Sequence, residues 1–182
     1  MASRHQRIAP VYEYLPYNLT VATQAAGKAI GAVLDTTSTT TVAAGIVTIT
    51  LATINSNVTI NSRLAIYGGT GTAEVVQVTG VNQSTGTVTA TFVNTHSGTY
   101  SVTLITGAKL GVVCVNTAGT AMTLTLWSGI PGLATSTKIH TPTLSAGVAP
   151  AQYFCACDQG LFVVYTGTTA GDITITALAD PI

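Results

Sequence analysis

The chain has 182 residues, of which 7% are charged and 47% hydrophobic, and six basic side chains cancel six acidic ones. Globular proteins usually carry about 25% charged residues; this chain has a mean hydropathy of +0.49 instead. These values exclude intrinsic disorder, which needs low hydrophobicity and high charge, and they argue against nucleic-acid binding by the folded body, which has no basic field to neutralise phosphates.

About a fifth of the residues are threonine. Threonine and valine fit a pleated, half-buried surface, so the composition predicts an all-β protein. No apolar run approaches the ~18 residues of a membrane span. The basic start, Arg4, His5 and Arg7, is followed by Pro10, Glu13, Pro16 and Asn18 where a secretory signal would be apolar, so a cytoplasmic product is expected. A neutral, charge-poor surface favours association, because little like-charge repulsion holds copies apart.

In chain order, residues 1–20 read as an extended arm. Pro10 and Pro16 break any regular period, and Tyr12, Tyr14 and Tyr17 offer large contact area at low entropy cost. The arm is expected to lie on a neighbouring subunit or on a partner surface, through Arg4, His5, Arg7, Tyr12, Tyr14 and Tyr17. Residues 21–34 carry Ala25, Ala26, Ala29 and Ile30 and predict one short helix, weakened by Gly27 and Gly31. Strand signals follow. They are Ile46 to Leu51, Val58 with Ile60, Leu64 to Tyr67, Glu74 to Thr79, Thr87 to Phe92 and Tyr100 to Leu104. Gly68-Gly69-Thr70-Gly71 and Asn82 to Gly86 are turns between them. A second set holds Lys109 to Val115, Met122 to Trp127, Tyr153 to Cys157, Leu161 to Tyr165 and Ile173 to Ala177. Residues 135–150 are polar and predict irregular structure. Short strands with turn signals every 8–12 residues mean sandwiches or barrels. The expected organisation is an arm and short helix over 1–34, a β module over 35–106 and a second over 107–182.

Little in the sequence carries chemistry. The six carboxylates are scattered, and Asp158 and Asp172 adjoin glycine as turn residues do. His96 and Ser97 are adjacent, so in a strand they point to opposite faces and cannot cooperate as base and nucleophile. Gly68 to Thr72 lacks the lysine and following helix of a phosphate loop. Cys114, Cys155 and Cys157 lack CxxC spacing and the histidines give no matching pair, so buried thiols are expected and no metal or other cofactor. No enzymatic activity is expected. Trp127, the sole tryptophan, is a candidate surface-binding residue beside the Ser128 to Gly132 loop.

Val75 to Val81, Thr91-Phe92 and Asn94-Thr95-His96-Ser97-Gly98 resemble a small β module of tailed-phage structural proteins. There an E-x-V-x-V strand precedes a "tF…aHsaG" hairpin. Lys109 to Val113, Thr117 to Thr120, Thr123 to Gly129, Gly160 to Val164 and Ala170 to Ile175 resemble a second phage-associated pattern. The resemblance covers about residues 60–178. It implies a non-enzymatic virion part, foremost a head decoration or cement protein that binds the major capsid protein as a homo-oligomer, a trimer by analogy. The alternative it implies is a fibre or spike module that binds host glycans.

Overall fold

The computed structural model describes residues 14–19, 23–113, 122–141, 143–144, 151–166 and 173–179. Arg4, His5, Arg7 and Tyr12 of the expected arm lie outside these, as do Cys114 and Asp172. The described chain is all-β, and no residue in it is helical.

It starts with β1 (Tyr14–Leu19) and β2 (Thr23–Ile30). Six strands then build one sheet: β3 (Asp35–Ser38), β4 (Gly45–Thr50), β5 (Arg63–Tyr67), β6 (Glu74–Asn82), β7 (Thr87–Phe92) and β8 (Tyr100–Leu104). There follow β9 (Ala108–Val113), β10 (Met122–Ser128), β11 (Thr137–His140), β12 (Thr143–Leu144), β13 (Ala151–Cys157), β14 (Leu161–Thr166) and β15 (Ile173–Ala179). Every strand pairing is antiparallel.

The short helix expected over 21–34 is replaced by strand β2, whose Phe162, Val163 and Tyr165 partners lie on β14. Alanine favours a helix only weakly, and pairing along a buried neighbour outweighs that preference. Gly27, at φ +87°, sits at the register shift opposite Val163 and Tyr165, so it bends the strand where a helix would have to end. Two further expectations change. Val58 and Ile60 belong to a loop, not a strand: Asn55 accepts from the Asn57 amide at 3.1 Å, and Asn61 adopts φ +73°. Asparagine turns of this kind compete with the ladder. Within 135–150, Thr137–His140 and Thr143–Leu144 pair with β10 and are strands.

The six-stranded sheet runs β3-β8-β5-β6-β7-β4. Its two ends curl toward each other: the Ala52 amide donates to Thr37 O at 2.8 Å and the Thr50 amide to Thr40 Oγ1 at 3.1 Å. Alternation decides which side is inside. In β7, Val88, Ala90 and Phe92 are buried while Thr87, Thr89 and Thr91 face outward. The enclosed core includes Ile49, Val58, Leu64, Ile66, Val78 and Val102, all fully buried. Each such side chain stabilises the fold by about 1.5–3 kcal/mol.

The remaining strands form two sheets, β1-β15-β9-β13 and β11-β10-β14-β2. The strands before β3 therefore pair with strands after β8, and the six-stranded lobe is inserted between them. Strand β5 is buried on both faces. Leu64 and Ile66 point into the half-barrel, while Ala65 and Tyr67 meet Ala29, Ile130 and Phe162 of the other sheets. The Tyr67 and Phe162 rings cross edge to face at 5.5 Å, a favoured aromatic geometry.

Candidate functional site

Three polar constellations lie around the half-barrel. The first is a brace at the start of β6. Glu74 is buried. Its Oε2 accepts from the Val93 amide at 2.8 Å, and its Oε1 accepts from the Asn94 amide at 3.0 Å. The same Oε1 lies 2.8 Å from His96 Nε2. His96 is 1% exposed, between the rings of Phe92 and Tyr100. Its Nδ1 is buried and has no hydrogen-bond partner, so the arrangement fits an Nε2–H that donates to the carboxylate. The His96 backbone pairs with Val42 and that of Ser97 with Thr70. The glycine run before β6 exists for this contact: a Cβ on Gly71 would stand 2.1 Å from Thr95 O and 3.1 Å from His96 Nδ1. This run therefore packs against a loop as a turn and does not cradle a phosphate.

The second constellation crosses between the lobes. Lys28 on β2 pairs with Asp35 on β3. Thr103 Oγ1 donates to Asp35 Oδ1 at 2.7 Å, and the Tyr67 hydroxyl lies 3.1 Å from Thr103 Oγ1. Burial works to lower the Lys28 ammonium, but the Asp35 hydrogen bond and charge outweigh it and hold the group above the ordinary lysine value. Burial pushes the Tyr67 phenol up, against the Thr103 hydrogen bond that pulls it down.

The third is a groove of about 690 Å³ where β6 faces the loop after β10, with Arg63, Gln77, Val93 and Leu133 on its walls. Arg63 Nη2 donates to Gln159 Oε1 at 2.7 Å, a second bond between lobes. Next to it, Ser128 Oγ donates to Asp158 Oδ1 at 3.1 Å in the turn between β13 and β14.

Of the residues singled out in the sequence, Tyr14 and Tyr17 stand on β1, opposite Leu178 and Ile175 of β15 in the same chain. The structure thus places them together on one strand. Trp127 on β10 is half-buried beside the inter-lobe cluster, and Lys138 Nζ stands 5.5 Å from its ring centroid. His96 is a buried, hydrogen-bonded histidine in the loop between β7 and β8. Its partner Glu74 went unrecognised, although the E-x-V-x-V pattern marks its place. Arg63 and the Lys28–Asp35 pair were not singled out either, because both depend on segments that meet only in the fold. Cys157 is buried.

No protein-family model matches the chain, and no curated protein does. Among solved structures it is similar to the VP16–VP17 complex, a complex of the two major capsid proteins of bacteriophage P23-77. That likeness covers 94% of this chain and 99% of the other at 14% identity, with a TM-score of 0.26, too low to define a shared fold.

Proposed function

We propose that the chain is a non-enzymatic structural protein of a phage particle, assembled in the host cytoplasm, and that it decorates and stabilises the finished head. The observation that carries this reading is the resemblance of the stretch from Val75 to Gly98 to the phage module, together with what that stretch does. Phe92 and His96 of that stretch pack edge to face, and Glu74, just before it, binds His96 and the Val93 and Asn94 amides, so that β6 is held to the β7–β8 connection. A motif spent on holding a rigid surface loop suits a part that must present a fixed face. The described carboxylates have structural work too: Asp35 with Lys28 and Thr103, Glu74 with His96, Asp158 with Ser128. The outward threonines and the exposed Ile46 and Val93, at 76% and 77%, give an uncharged surface suited to close contact.

A subunit that binds the assembled shell and not its parts stabilises the shell by mass action. Homo-oligomers, trimers by analogy with phage decoration proteins, would present several contacts at once and gain avidity. The segment with Arg4, His5, Arg7 and Tyr12 reaches the capsid or a neighbouring subunit, and β1, the strand on which Tyr14 and Tyr17 stand, joins it to the body by its pairing with β15.

The test is titration of the purified protein onto heads that lack it. Saturable binding and a higher temperature of DNA release are expected. A chain shortened by residues 1–12, which leaves β1 in place, is expected to keep its β spectrum and bind at least tenfold more weakly. Absence of binding by the full chain would overturn the reading.

A further inference from the structure

We infer that the groove between the lobes is a docking site for an extended, carboxylate-bearing polypeptide segment of the shell, anchored by Arg63. The partner's identity rests on the capsid reading; the site itself does not. The groove's volume, about 690 Å³, is within the ~300–1,000 Å³ range of ligand pockets. Two of its lining residues carry charge, Arg63 and the buried Glu74. Among the described residues no carboxylate lies within ion-pair distance of Arg63, and the guanidinium is held in place by Gln159. Glu74 lines the same groove, but its oxygens already accept from Val93, Asn94 and His96. The complement is a carboxylate, which a guanidinium fork takes bidentately.

The rest of the lining says what carries that carboxylate. Val75, Val93 and Leu133 make aliphatic walls, and no lining residue is aromatic. A sugar would need a ring face for its C–H groups, and a bare phosphate would gain nothing from valine and leucine. An extended peptide with aliphatic side chains next to an acid fits both features. Gln77 donates to Asn61 at 3.3 Å, which leaves the Asn61 NH2 and the Gln77 oxygen for a peptide group. The Glu74 brace fixes Val93 beforehand, so little ordering is lost on binding.

The test has two arms. In the first, the ¹⁵N-labelled full chain is titrated with a capped pentapeptide of alternating valine and glutamate, and with its valine–glutamine counterpart. Shifts confined to the Arg63 side chain and to the amides of 73–77 and 93–94 are expected with the acidic peptide. Binding should weaken at least tenfold with the neutral peptide, with Arg63→Gln, and in high salt. No shifts, shifts elsewhere, or equal shifts with the neutral peptide would overturn the site. In the second arm, Arg63→Gln is expected to bind heads at least tenfold more weakly than wild type, with its β spectrum kept. Heads that bind both equally would overturn the groove and spare the capsid reading. Groove shifts in a protein that never binds heads would keep the groove and remove the shell as its partner.

Discussion

Glu74 and His96 show how much one residue can decide. A buried carboxylate is costly unless its oxygens are satisfied, and Glu74 meets that condition with two backbone amides and an imidazole. Glu74→Ala would leave three donors without an acceptor. Each unmade buried bond costs about 1–3 kcal/mol. A loss of about 3 kcal/mol is expected, seen as a lower urea midpoint at unchanged slope. Glu74→Gln keeps an acceptor oxygen and should lose about half as much. A loss below ~1 kcal/mol for the alanine variant would mean that the loop holds itself and the brace is incidental. The pairing spans 22 positions and forms only when the β6–β7 hairpin brings the chain back. For that reason the pairing was not legible in the sequence.

At the scale of elements, alternation was the legible signal. Val88, Ala90 and Phe92 against Thr87, Thr89 and Thr91 read as a strand and form one. Strand β2 was not legible, because Thr23–Ile30 is rich in alanine and its strand character comes from β14 across the ladder. The loop with Val58 misled for the opposite reason: its apolar anchor is buried, but asparagines set the backbone. Strand β4 has a consequence of its own. It ends the six-stranded sheet, carries no charge or proline, and leaves Ile46 76% exposed. Edges of this kind recruit other strands unless a charge protects them. Ile46→Lys is expected to reduce self-association in sedimentation at high concentration, with thermal stability unchanged. Equal self-association would place the contact elsewhere.

At the scale of the whole molecule, the lobes are joined by an apolar cluster, by Arg63 with Gln159, and by Lys28 with Asp35. Lys28, Tyr67, Tyr100 and Tyr165 all have folded values raised above their ordinary ones, the tyrosines by burial, and Lys28 by Asp35 against the effect of its burial. In each case the folded chain holds its proton more tightly than the unfolded chain. Their stabilisation is therefore full below the unfolded values, about pH 10, and is lost as pH rises through the folded ones. Urea midpoints should fall steeply above about pH 10, and less steeply in Tyr67→Phe. A flat profile there would contradict the burial of these groups. The central claim concerns what the body is for, and the most direct measurement is quantitative mass spectrometry of purified particles from the source. Copies of this chain in a fixed ratio near that of the major shell protein are the expected result. Only a few copies per particle would contradict a lattice-decorating role and point to a spike or tail part, and absence from particles would contradict the virion reading altogether.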